Sequence, residues 1–442
     1  MCNAIGVCNS NEVKNKKPMK LNKICSTFIL FLVIISSLSC SGDKKVPLEQ
    51  KLQNVLDNGI KKYDVKGVSA AIIFSKDKKW TGTSGISHDT VTIKPDMLFA
   101  IGSITKNFVA SLTLKLVEKG KLSLDDPLSK WLPEYPHVNS EITIRQLLNH
   151  TSGIYMFWSN QKIWDDLIKD RTKIWTPDEV LTYIKEPYSE PGEGFRYSNT
   201  NYLLLAMIIT KATESTLSSE FKKHFWQPLN INSARLSIEE KIPDNQAHVF
   251  GDNFNDDGSY LDLTFLPRES HESITYGSAG IFMTAEDLAL WCHSLFEGKI
   301  LNQQSMDEML QYVTFKPSGN MTGYGLGVQL FKKKYSNGKK AIGHSGANIG
   351  TSARMVYLPK HHLSIVVMIN SMNHRCNESI IKDLTNISLK EINAYSIIPR
   401  FDFFPLGFVI IAAAAYWLVF IIIRIRRKKK RKIRSGNIMK QG

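Results

Sequence analysis

Residues 340–369 read KAIGHSGANIGTSARMVYLPKHHLSIVVMI. Three apolar β runs follow one another here, at 340–344, 351–357 and 363–369, with a fourth at 324–331 before them and a helical pattern near 378–392 after them. The other end of the chain mirrors this order. Leu48, Leu52, Val55, Leu56 and Ile60 recur at helical spacing between Pro47 and Tyr63. Residues 67–74 then read as a strand, which Asp77-Lys78-Lys79 turns into a second run ending near Gly85. Between the two ends, roughly 120–300, the chain is rich in helices and loops, with helices expected at 143–149, 201–212 and 285–296. Strands at both ends and helices between them give an α+β domain over 46–395: an antiparallel sheet flanked by helices, with an all-helical subdomain inserted.

The chain has 442 residues and a formal net charge of +15. Residues 1–45 contribute +5 and residues 396–442 contribute +10, so 46–395 carry no net charge. That distribution leaves no basic face for a polyanion and argues against nucleic acid as a partner. Both basic ends adjoin apolar stretches. Lys14, Lys16, Lys17, Lys20 and Lys23 precede the apolar run Phe28 to Ile35, and Leu38-Ser39-Cys40-Ser41 follows. Residues 1–40 thus have the layout of a secretory signal, with Met19 a natural start. The last four residues resemble a bacterial lipobox, which would lipidate Cys40; an uncleaved anchor is the alternative. Residues 403–423 form 21 uncharged residues, about 31 Å long as a helix and enough to span a bilayer. Nine positive charges fall within 424–434, a cytoplasmic tail by the positive-inside rule. The ends together predict a plasma-membrane protein with 46–395 outside the cytoplasm, 403–423 as a transmembrane helix and 424–442 inside. Of six cysteines, only Cys292 and Cys376 lie in the body, and their pairing is open.

Chemistry is carried by three short patterns. Ser103-Ile-Thr-Lys106 places an ammonium and a hydroxyl on one helical face, where a lysine out of water can serve as base to the serine. The pattern S-x-x-K alone has no discriminating power, since it recurs at Ser41, Ser75, Ser159, Ser219, Ser336 and Ser379. Ser103 differs by following Gly102 at the start of an apolar helix, where backbone N–H groups can meet an oxyanion. Tyr-x-Asn occurs twice. Tyr335-Ser-Asn337 runs into Gly338 between β runs and reads as a hairpin turn, whereas Tyr197-Ser-Asn199 sits between a Pro/Gly loop and a helix. His344-Ser345-Gly346 ends a strand whose edge can bind an extended substrate, and His150 reads as structural.

The order S-x-x-K, Y-x-N, H-x-G resembles the serine β-lactamase and penicillin-binding protein superfamily, in its class C β-lactamase-related branch. Leu147 to Ile154 (LLNHTSGI), Tyr276 to Ile281 (YGSAGI) with Thr284 to Leu288, and Gly323 to Val328 (GYGLGV) support the likeness over roughly 50–390. The resemblance implies an α/β sandwich plus a helical subdomain with the site between them, and neither metal nor cofactor. It makes Ser103 the nucleophile, with Lys106 and Tyr197 moving protons and Asn199 touching the substrate amide. The N–H groups of Ser103 and Ala347 become the oxyanion hole, and His344, Ser345 and Gly346 part of the substrate edge. His344 stands where class C β-lactamases carry Lys, which they use to hold the antibiotic carboxylate. That departure favours a cell-envelope D,D-peptidase or a D-amino-acid amide or ester hydrolase over a β-lactamase. A non-catalytic penicillin-binding sensor is the reading of another class. The partners implied are a peptide- or ester-type substrate, cell-wall peptide among them, β-lactams as acylating ligands, and membrane lipid.

Overall fold

The computed structural model describes residues 46–75, 78–252, 260–397 and 416–427. The chain divides into two units, Met1–Gln50 and Lys51–Gly442, and the fold below is that of the second.

Nine strands form one antiparallel sheet: β1 (Gly67–Ser75), β2 (Lys78–His88), β3 (Val91–Thr92), β9 (Val313–Ser318), β10 (Met321–Tyr324), β11 (Gln329–Phe331), β12 (Ile342–Asn348), β13 (Thr351–Leu358) and β14 (Leu363–Ile369). Their order is β3-β2-β1-β14-β13-β12-β11-β10-β9, so the two ends of the chain meet at the β1–β14 pair, with Val68 opposite Ile369. Both faces of β14 are buried, which explains why its sequence is apolar at every position but Ser364 rather than alternating. Val366 and Met368 face the main core together with the helix Ala285–Phe296. On the other face lie the terminal helices Leu48–Tyr63 and His374–Ile397, packed closely enough that a Cβ on Gly59 would meet Ile380 at 2.6 Å.

A three-stranded sheet, β4 (Phe99–Ala100), β8 (Ile281–Met283) and β5 (Arg235–Leu236), leads the chain into the Ser103 segment. β6 (Phe250–Asp252) and β7 (Tyr260–Asp262) form a separate ribbon. The inserted segment, expected to be all-helical, also carries β5 to β8; its helices include Ile144–Leu148 behind a Thr143–Gln146 capping box and the long helix Asn199–Thr213 against the helix Thr105–Glu118. Gly120 ends that last helix at φ +66°, with Lys121 N–H donating to Leu116 O, because only glycine enters the left-handed region without strain.

Two expectations need correction. The run expected at 324–331 is two strands, broken where Gly327 adopts φ +71° and presses on the helix Thr105–Glu118. Tyr335-Ser-Asn337 lies in the hairpin connection of the antiparallel pair β11 and β12, as expected: after a short 3-10 helix, Lys333–Tyr335, Lys339 N–H donates to Ser336 O across Asn337 and Gly338, both at positive φ. The transmembrane helix at 403–423 is also overturned, because no described helix is long and apolar enough to cross a membrane. The described residues there, 416–427, are helical and include Arg424, Arg426 and Arg427. Residues 403–415, the signal region with Cys40 and the tail beyond 427 lie outside the described residues. Cys292 and Cys376 are both free and buried, and burial pushes each thiol up to about 12.

Candidate active site

The backbone is positioned before any side chain acts. Ile101 N–H donates to Ile281 O, and Gly102 then turns at φ +53° into a 3-10 turn, Gly102–Ile104, that presents Ser103. This turn lies directly on β12. A Cβ built on Gly102 would come within 2.2 Å of Ala347 O and 2.6 Å of Ala347 N; one on Gly346 would meet Ile101 O at 1.9 Å and Ser103 N at 3.0 Å. Two glycines are therefore required for the N–H groups of Ser103 and Ala347 to converge. Neither position can accept a side chain without separating them.

Lys106 opens the following helix and is 0% exposed. Its Nζ lies 3.1 Å from Ser103 Oγ and donates to Ser278 O at 2.8 Å. Its other neighbours are aromatic, with Nζ 5.1 Å from the Tyr197 ring centre and 5.6 Å from that of Tyr202. Burial, uncompensated by any carboxylate, holds the ammonium well below its ordinary pKa. The Ser278 carbonyl was not foreseen as a ligand. Its signal lay in the stretch Tyr276 to Ile281, where Gly277 and Gly280 take positive φ and aim that carbonyl inward.

Tyr197 reaches the same point from the inserted segment. Burial raises its phenol pKa, a hydrogen bond with Ser103 opposing that rise. Behind it sits His150, at φ +60°, with ring centres 4.3 Å apart. His150 Nδ1 faces Ser198 N–H at 3.3 Å and Asn201 Nδ2 at 3.1 Å, an acceptor role that leaves the ring proton on Nε2. Burial first, then the Lys106 charge, keeps this histidine neutral far below its ordinary pKa. Asn199 begins the helix Asn199–Thr213, and its Oδ1 is buried without a hydrogen-bond partner among the described residues.

His344 joins this cluster from β12, yet not as a surface cation. It is fully buried, its Nδ1 2.6 Å from Ser345 O and its Nε2 2.8 Å from Tyr324 OH. Burial, followed by the Lys106 charge, drives its pKa down to about 3, with the Ser345 bond opposing. A role in reading a substrate carboxylate through a protonated ring therefore has no basis near neutral pH. The linkage runs in one direction. The unfolded chain takes up this proton near pH 6.5 and the folded one near 3, so the stability is complete above about 6.5 and lost as pH falls. Melting curves between pH 8 and 4 are expected to show His344→Asn with the shallower acid loss, by up to about 1.4 kcal/mol per pH unit. Equal slopes in the two proteins would refute it.

Tyr335, the second candidate tyrosine, lies in the β11–β12 connection, outside this constellation. Ser103, Lys106, Tyr197, Asn199 and the 344–347 segment are brought together.

The fold has known relatives. The family model described as Beta-lactamase matches residues 52–381. Penicillin-binding protein 4* of Bacillus subtilis is 28% identical over 292 residues, covering 63% of this chain and 62% of that protein. The match thus spans about three fifths of that relative's length. Among solved structures, D-amino acid amidase from Ochrobactrum anthropi, complexed with D-phenylalanine, superposes with a TM-score of 0.69 at 25% identity, over 78% of this chain and 99% of that one. D-stereospecific amidohydrolase from Streptomyces gives 0.66 at 26% identity, over 76% and 98%. A family model covering most of the folded unit leaves no second assignment: this chain belongs to the beta-lactamase family, within the superfamily that includes the penicillin-binding proteins.

Proposed function

We propose that the protein is a serine hydrolase that works through an acyl-enzyme on Ser103, cleaving amides or esters of the D-amino-acid type. The observation that carries this is Lys106. It is a fully buried amine, 3.1 Å from a serine hydroxyl, with its pKa lowered by burial. An amine in that state can exist unprotonated near neutral pH and take the Ser103 proton.

In the forward step the Ser103 O–H proton passes to Lys106 Nζ as Oγ bonds to the substrate carbonyl carbon. The resulting oxyanion is met by the N–H groups of Ser103 and Ala347, each such donor worth on the order of a hundredfold in rate. Tyr197, kept as a neutral phenol by burial, donates a proton to the departing amine or alcohol, and Lys106 returns its proton to the tyrosine. Water then repeats the sequence in reverse, releasing the acid and free Ser103. The substrate class follows the two solved amide hydrolases, one of them holding D-phenylalanine, and the orphaned Asn199 acceptor.

Labelling with a fluorescent penicillin, followed over time, tests the reading. Covalent label released slowly supports a peptidase or amidase, and rapid release would turn the assignment to a β-lactamase. A folded protein that neither a penicillin nor a fluorophosphonate labels would end it.

A further inference from the structure

β11 pairs with β12 at Gln329–Gly343 and Leu330–Ile342, and beyond Gly343 no strand among the described residues lies beside this edge of β12. Residue 345 is the first there with groups to offer a ligand. All of them are already spent. Gln329, 4% exposed, accepts from both Ser345 N–H and Ser345 Oγ through Oε1, each at 3.0 Å. Ser345 O is held by His344 Nδ1 at 2.6 Å. Gln329 and Gly343 are directly opposed, so the Gln329 side chain shares a face with that of Ser345, and pairing fixes it there. His344, next along the strand, is buried against Tyr324 and offers no charge.

An incoming carboxylate needs donors, and two lying together on one residue would make a good seat for it. Gln329 withdraws both at once. Resting on the acyl-enzyme reading, we propose that Gln329 is a specificity-determining residue that selects uncharged leaving groups, simple amides and esters, over leaving groups that bear a carboxylate. A neutral leaving group loses nothing by the arrangement. An anionic one must either displace the Gln329 bonds or go unpaired in a half-dry cleft, which is costly.

The test uses two esters of N-acetyl-D-alanine, with phenol and with 3-hydroxybenzoic acid as leaving groups, on the full chain. Wild type is expected to prefer the phenyl ester. Gln329→Met keeps length but no acceptor, frees both Ser345 donors, and should raise the carboxylated-to-neutral ratio of kcat/KM by about tenfold. Gln329→Glu keeps the acceptor, adds a negative charge, and should lower that ratio by a similar factor. If the Met variant does not fold, the Glu variant still decides, since it preserves both bonds. A ratio unmoved in the folded variants overturns the inference, as does a wild type that cleaves the carboxylated ester equally well. Cleavage of neither ester by a protein that a fluorophosphonate labels overturns the inference and leaves the acyl-enzyme standing. A folded protein without labelling removes the acyl-enzyme reading and the inference with it.

Discussion

Ser103→Ala is expected to abolish covalent labelling by penicillin or fluorophosphonate and to cut turnover on the order of a millionfold, the scale of a lost nucleophile. The variant should fold as the wild type does, because Ser→Ala costs little helix propensity and removes only a hydroxyl. The competing S-x-x-K copies make this a sharp test. In three of them the lysine is spent on a carboxylate at the surface: Lys78 with Glu391, Lys162 with Asp166 and Lys222 with Glu240, their side chains 41%, 69% and 42% exposed. Each of these ammonium groups faces a carboxylate in solvent, whereas Lys106 faces the Ser103 hydroxyl in the interior. Ser159→Ala should therefore label normally. Labelling retained in Ser103→Ala would refute the nucleophile assignment outright.

Tyr197→Phe should lower turnover by about 10² to 10⁴, the usual range for a lost proton-transfer group. The ring itself is packed against His150, at 4.3 Å, and lies 5.1 Å from Lys106 Nζ, so phenylalanine should keep the site's shape while removing the donor to the leaving group. Acylation by a good leaving group, such as an activated aryl ester, should suffer least, because it needs least protonation. Tyr335→Phe should be near wild type. Measured kcat and single-turnover acylation for the two variants settle the matter, and the reverse ranking would dismantle the proton route described above.

Much of the architecture was legible because it is written in local periodicity. The run 363–369 is apolar at every position but Ser364, and β14 covers those same residues with both faces buried. The helix expected at 285–296 has those bounds, with Thr284 capping it. Where the chain departs from its pattern, a distant contact decides. The strand expected at 324–331 breaks at Gly327 because the helix Thr105–Glu118 needs a backbone to lie against it there: a Cβ on Gly327 would come 2.4 Å from Ala110 Cβ.

The site divides in the same way. Residue types and their order along the chain were enough to single out Ser103, Lys106, Tyr197 and Asn199, since chemistry of this kind needs a hydroxyl, a nearby amine and a second proton carrier. What they could not supply was the environment. Seven serines stand three residues before a lysine in this sequence, and only folding buries Lys106 and turns the Ser278 carbonyl onto it across 172 positions of chain. Likewise, nothing in the sequence around His344 shows that Tyr324, twenty residues away, bonds to it in the core. Burial and long-range hydrogen bonds set pKa values and occupy donors, and neither is a property of a short stretch of sequence. The sequence by itself determined which groups could react; the tertiary structure alone decided which of them carry charge, and which are already taken.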